Sequence, residues 1–327
     1  MHLYTKIRRS FITTAPVSWL IRKSKHILLP GFKGIPLFDV IRFLFLQFKK
    51  TGLSERSASI AFNLLSALPP AIIFLFTLVP YLPISRQFID ELFHLIRDVI
   101  PAGKDNSAII DFLNDFITTP RNGLLSFGFL LALYYSSNAV LGIMRSFDRN
   151  YVGFVKRTTF ENRVTALKIT LMLFVVVIVS VILLIMQQTA VLKWIGIKSW
   201  VLQEIIKTFR WVVIILLFFF SISFIYRYAP ATHKKWKPIN AGSILATFLM
   251  ILFTLIFAYW VNNFSNYNRL YGSIGTILIL MLIIYFNSFV LLIGFELNVS
   301  INALKREVDE RKAAEAVKAR LHASHAT

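Results

Sequence analysis

The chain has 327 residues, 56% of them hydrophobic, including 31 Phe, and its mean hydropathy is +0.65, a more apolar balance than a soluble globular domain carries. It holds 36 Lys and Arg against 16 Asp and Glu, a formal charge of +20, and no cysteine. The missing cysteine excludes disulfides, thiolate metal sites and a cysteine nucleophile, and the positive charge, gathered at the flanks of apolar runs, reads as membrane topology rather than nucleic-acid binding.

From the N-terminus, residues 1–36 form a basic arm around a short apolar patch that Pro16 interrupts. It lacks an apolar core followed by a small-residue cleavage site, so it is expected to be retained and not to be a signal peptide. "LFDVIRFLFLQFKK" at 37–50 is apolar on most of its circumference, with Asp39, Arg42, Gln47, Lys49 and Lys50 as its polar edge. It is expected to be an interfacial helix.

Six apolar runs then follow, at about 59–82, 124–144, 166–187, 209–226, 240–261 and 274–298. Each is close to the roughly 20 residues that cross a hydrocarbon core as a helix. The weak alternation of a membrane barrel is absent. The predicted fold class is therefore an all-α integral membrane bundle of six spans at 37–304, followed by a charged tail at 305–327.

Between the first two runs, 85–100 and 106–119 repeat apolar residues at helical spacing. Pro101 and Gly103 separate them, and Asp90, Glu91, Asp98, Asp105, Asp111 and Asp115 make this hairpin (85–119) acidic. A further surface-lying element is expected at 190–206, with Trp194 and Trp200. Lys and Arg gather in the arm, the second-to-third loop, the fourth-to-fifth loop and the tail. The positive-inside rule then puts both termini in the cytoplasm and the acidic hairpin outside. The tail, with Glu307 and Arg311 at i,i+4, is expected to be a helix that frays towards Thr327.

Four stretches, "SASIAFNLLSALPPAIIFLF" (57–76), "YYSSNAVLGIMRSFDRNY" (134–151), "YAPATHKKWKPINAGSILAT" (228–247) and "YNRLYGSIGTILILMLIIYFNSFVLLIGFELN" (267–298), together resemble the YihY/BrkB family of bacterial inner-membrane proteins, once labelled ribonuclease BN. The most specific part is the last: Tyr267, Tyr271, Gly272 and Gly275, then Gly294, Glu296 and Asn298. The resemblance covers about residues 40 to 305 and implies six helices with both ends inside.

Polar residues within spans are costly and tend to face protein or water. Asn63, Ser66 and Pro70 share a face of the first span; Ser137 and Asn138 lie in the second, Asn287 and Glu296 in the sixth. Two readings stand side by side. These residues line a polar cavity open to the cytoplasm, or they join packed helices by hydrogen bonds. Pro69-Pro70 removes two amide donors and is expected to kink its helix. Arg145, Asp148 and Arg149 approach the level of Glu296, as an ion-pair network or beside a substrate-binding carboxylate.

The polar connection "NYNRLYGSIGT" (266–276) supplies Tyr267, Arg269, Tyr271, Gly272 and Gly275. A turn ending at Gly272 would present the amides of 273–276 as an outward helix N-terminus, a cap or an anion site. No phosphate-binding loop, no G-x-S-x-G and no ligand-spaced group of the six His is present. The sequence therefore calls for no enzyme, cofactor or metal. The expected function is translocation of a small or lipid-like substrate; the alternative is a scaffold of an envelope complex. Membrane lipids and envelope proteins are the expected partners, with no nucleic acid.

Overall fold

A computed structural model describes residues 23, 31–32, 34–50, 52–78, 81, 122–148, 151, 153–186, 199–232, 235–263 and 266–325. The acidic hairpin at 85–119 and most of the N-terminal arm lie outside the described residues, as does Trp194. The described residues form seven helices: α1 (Leu37–Lys50), α2 (Leu53–Leu78), α3 (Asn122–Phe147), α4 (Thr159–Met186), α5 (Trp200–Tyr228), α6 (Ala241–Asn263) and α7 (Asn266–His325). Six of them, α2 to α7, are long and apolar enough to cross a membrane. Their most apolar windows bury only 17 to 44% of their residues inside the bundle. The remainder exposes Phe62, Leu130, Val175, Phe248 and Leu255, a surface suited to hydrocarbon and not to water.

Each span packs on the next in sequence, α2 on α3, then α4, α5, α6 and α7, and α7 returns to α2. The six spans thus close a ring. Two residues separate α6 from α7, which favours antiparallel packing of that pair. Helix α1 lies outside the ring against α7, where buried Val40 and Leu44 join Leu297 and Ile301 in a small separate core.

Several helices start earlier than the apolar runs suggest. Thr158 caps α4 through a reciprocal pair: its amide donates to Glu161 Oε2 at 2.8 Å, and the Glu161 amide donates to Thr158 Oγ1 at 3.3 Å. This capping box satisfies two of the amides that a helix start leaves open. Residues 200–206 of the surface-lying element expected at 190–206 are instead the first turns of α5. Helix α2 runs through Pro69 and Pro70 without ending.

The expected turn at Gly272 is corrected. α7 starts at Asn266 and passes through both glycines. Glycine costs a helix only about 1 kcal/mol relative to Ala, whereas a break exposed to lipid leaves several backbone groups unpaired. No helix N-terminus therefore forms at 273–276. At the other end α7 carries on past the ring as one helix of 60 residues, about 90 Å at 1.5 Å per residue. The extension bears three i,i+4 ion pairs, Lys305–Asp309 at 2.9 Å, Arg306–Glu310 at 2.8 Å and Glu307–Arg311 at 2.6 Å. Such pairs support an isolated helix, and the helix runs through His325.

Candidate functional site

Between the six spans lies a partly open cavity of about 720 Å³, lined from all six. Its walls are dominated by Leu, Ile, Val, Ala and Phe, with Ser136, Thr170, Ser221, Thr254, Asn287 and Ser288 as the polar exceptions. Four of these six donate to a carbonyl of their own helix: Thr170 to Ala166 (2.8 Å), Ser221 to Leu217 (2.8 Å), Asn287 to Ile283 (2.9 Å) and Ser288 to Ile284 (2.7 Å). A hydroxyl has one hydrogen to give. Thr170, Ser221 and Ser288 can then only accept, whereas Asn287 keeps a second N–H. The cavity therefore offers much apolar surface and a few polar groups. Among the described residues no Lys, Arg, Asp or Glu lines it.

Aromatic layers bound it at both ends. At one end Phe74 and Phe174 line the cavity and stack at 5.9 Å, and Phe129 sits 5.4 Å from Phe74. At the other, one helical turn beyond the lining residues Ile143 and Leu291, come Phe147 and Phe295, parallel at 3.9 Å. Tyr226 leans on Phe147 at 6.0 Å and donates to the Leu291 carbonyl at 2.6 Å. Trp236 stacks on the same Phe295 at 5.6 Å.

Immediately below this floor lies a buried charge cluster. Glu296 of α7 is fully buried and Arg56 of α2 is 7% exposed. Arg56 donates through one terminal nitrogen to Glu296 Oε1 at 2.6 Å, and through Nε at 2.9 Å and its other terminal nitrogen to the carbonyl of Ser146. That carbonyl belongs to the last turn of α3, where unpaired acceptors favour a cation. Tyr151 also donates to Glu296 Oε1, at 2.6 Å. It is held by a turn in which the Phe154 amide donates to the Tyr151 carbonyl at 3.2 Å, with Gly153 at φ 91°. Burial first, then the Glu296 charge, push the Tyr151 hydroxyl well above its ordinary range, so it stays a donor. Glu296 Oε2 is buried and has no hydrogen-bond partner among the described residues.

The structure distributes the other predicted residues differently. Of the cavity candidates, Asn287 lines the cavity, whereas Asn63, Ser66, Pro70, Ser137, Asn138 and Glu296 do not. Asn63 donates to the Ser59 carbonyl at 2.8 Å, and its side chain covers Gly142 of α3, where an added Cβ would sit 2.8 Å from it. Ser66 donates to Phe62 at 2.9 Å and Ser137 to Tyr134 at 2.9 Å. Asn138 accepts from Arg163 of α4 at 2.5 Å, while that guanidinium lies 4.8 Å from the Tyr134 ring centre. Of these hydrogen bonds only Arg163–Asn138 joins two helices; the other three stay within their own.

The proposed partners of Glu296 also change. Arg145 is exposed and Arg149 lies outside the described residues; the ion pair belongs to Arg56. Asp148, on the exposed side, has its carboxyl raised by partial burial, with the charge of Arg157 and a hydrogen bond from Ala231 opposing. Arg157 itself caps α5, donating to the carbonyls of Ala229 (2.9 Å), Pro230 (2.9 Å) and Tyr228 (3.3 Å). Of the outer group, Gly275 is buried in α7. The side chains of Tyr267, Arg269 and Tyr271 lie outside the described residues, and Gly272 is a helical position.

Against known proteins, residues 44–320 match the family model described as Virulence factor BrkB. A Bacillus subtilis (strain 168) protein named as ribonuclease-like, YfkH, is 28% identical over 259 residues, which is 78% of this chain and 92% of that protein. A UPF0761 membrane protein of Xanthomonas campestris pv. campestris (strain B100) is 26% identical over 271 residues, 81% of this chain and 61% of that one. One of Idiomarina loihiensis is 30% identical over 118 residues, 36% of this chain and 39% of its own. The chain thus spans less than two thirds of the Xanthomonas and Idiomarina relatives. No solved structure matches it.

Proposed function

This chain belongs to the Virulence factor BrkB family, and on that premise we propose that it is a non-enzymatic carrier of an uncharged, lipid-like molecule in a bacterial inner membrane. The observation that carries the reading is the cavity of about 720 Å³ between all six spans. Its size suits a small amphiphile or an acyl chain, within the range of ordinary ligand cavities of about 300–1,000 Å³. Its chemistry disfavours an anion. Three of its hydroxyls have spent their hydrogen on their own helix, and among the described residues no charged side chain lines it to offset desolvation.

In this reading the substrate differs from the one a polar cavity would take. The Phe147–Phe295 floor and the Arg56–Glu296 pair close the cytoplasmic end, and both termini are cytoplasmic by the distribution of Lys and Arg. Nuclease chemistry is not proposed, although one relative is named as ribonuclease-like. The buried carboxylate of Glu296 is already paired with Arg56 and hydrogen-bonded by Tyr151.

The test is mass spectrometry of molecules retained through gentle extraction, comparing the wild type with Ala139→Phe, which fills the cavity from a buried lining position, at matched thermal stability. A discrete neutral lipid held by the wild type and absent from the variant is expected. Bulk-like lipid in equal amounts on both would refute carriage.

A further inference from the structure

A second site, independent of the central cavity, lies where α1 meets the extension of α7. Val40 and Leu44 fix α1 against Leu297 and Ile301. On one side of this contact the helices leave a groove of about 680 Å³. Arg42 enters it from α1 and Lys305, Arg311 and Lys312 from α7; the acidic lining is Asp39 and Glu307. Glu307 is engaged by Arg311 at 2.6 Å, and Lys305 pairs with Asp309 at 2.9 Å. Among the described residues Arg42 and Lys312 have no ion-pair partner, and the groove's lining carries four cations against two carboxylates. The remaining wall is apolar, with Phe43, Leu46, Leu304 and Val308. Next to it α1 exposes Ile41 and Phe45, the latter 63% accessible.

We propose that this groove binds an anionic phospholipid, its phosphate between Arg42 and Lys312 and its glycerol and upper acyl chain along Phe43, Leu46 and Val308. A soluble phosphate would leave the apolar wall unused. A nucleic acid would have to desolvate it. An amphipathic helix with exposed Ile and Phe lies where headgroup meets hydrocarbon, and cations at that level attract acidic lipid.

The test uses the full chain in neutral detergent, with apparent unfolding temperature as the readout. Phosphatidylglycerol is expected to raise it by several degrees, phosphatidylcholine and inorganic phosphate not at all, and the rise should shrink as salt shortens the screening length. Arg42→Gln/Lys312→Gln should keep the starting temperature and lose the rise. A lower starting temperature with the rise intact would overturn the proposal, as would an undiminished rise in the double variant. Equal effects of phosphatidylcholine would make the site unselective, and a matching rise with phosphate or an RNA oligonucleotide would assign the groove to a soluble anion. If the double variant fails to fold, a wild-type rise insensitive to salt overturns the proposal by itself.

Discussion

Arg56 on α2 donates to Glu296 on α7 across 240 positions of sequence, at 2.6 Å and almost entirely out of solvent. The pair fastens the first span to the last and so closes the ring. Removing one partner from a buried pair strands the other charge, at about 3–5 kcal/mol, whereas replacing both by well-packed apolar residues is often near neutral. Arg56→Met and Glu296→Leu should each lower the unfolding temperature sharply. The double variant should recover a large part of the loss, although the Ser146 carbonyl and the Tyr151 hydroxyl then lack a partner. A double variant as unstable as the sum of the singles would show that the pair is not coupled.

Tyr151 gives a pH signature. Its folded hydroxyl is raised above the ordinary value by burial and by Glu296, and that ordinary value is about 10. The unfolded chain therefore releases this proton first as pH rises. The contribution to stability is complete below pH of about 10 and declines above it, by linkage. Between pH 9 and 11 the wild type should lose more unfolding temperature than Tyr151→Phe. At pH 7 the same variant should be less stable by about 1.5–3 kcal/mol, the usual worth of a hydrogen bond to a charged group. Parallel pH curves for the two proteins would contradict this.

The spans were legible because a membrane helix announces itself by composition over some twenty residues. The start of α4 lies ahead of the apolar run at 166–187 and is set by Thr158 and Glu161 at the capping-box spacing, a signal that apolar composition does not carry. The cluster around Glu296 was not legible. Arg56 sits just before the first apolar run, where a basic residue is the ordinary mark of topology, and its partner is 240 residues away. Only the register at which α2 meets α7 distinguishes it from Arg145, which is exposed. The apolar cavity was hidden for a related reason. Sequence marks Asn63, Ser66 and Asn138 as polar, but their hydrogen bonds turn them towards a backbone or an Arg. The cavity is made instead by unremarkable Leu, Ala and Ile positions.

Glycine at the α6–α7 contact should be intolerant of even one methyl group. A Cβ on Gly294 would meet the Tyr226 hydroxyl and the carbonyl of Gly242, and one on Gly242 would meet the carbonyl of Gly294. Backbone cannot retreat as a side chain can. Gly294→Ala should cost about 1–3 kcal/mol or more, the range for overpacking. Gly142→Ala should cost less, because what it meets is the Asn63 side chain, and Asn63→Ala in the same protein should restore stability. If Gly294→Ala and Gly142→Ala are equally mild, α6 and α7 are not packed this closely.

The last contact at that seam discriminates between two asparagines. Asn298 on α7 accepts from the Gly242 amide at 2.9 Å and donates to Asn240 Oδ1 at 2.6 Å. Asn240 Oδ1 also accepts from the Ser243 amide at 2.8 Å, the N-cap bond of α6. Asn298 must therefore both give and take, while the essential work of Asn240 is to accept. Asn298→Asp keeps the bond from Gly242 but sets a buried carboxylate oxygen against Asn240 Oδ1. Asn240→Asp keeps both bonds at Oδ1 and adds a negative charge at a helix N-terminus, which is favourable there. It loses only the amide's weaker donations to the carbonyls of Lys237 and Pro238, at 3.0 and 3.4 Å. Thermal unfolding in one detergent should rank Asn298→Asp well below Asn240→Asp, with a gap of about 1–3 kcal/mol, the cost of an unsatisfied buried polar group. The reverse order would mean that Asn240 is held chiefly by its amide nitrogen and that the seam is not organised around Asn298.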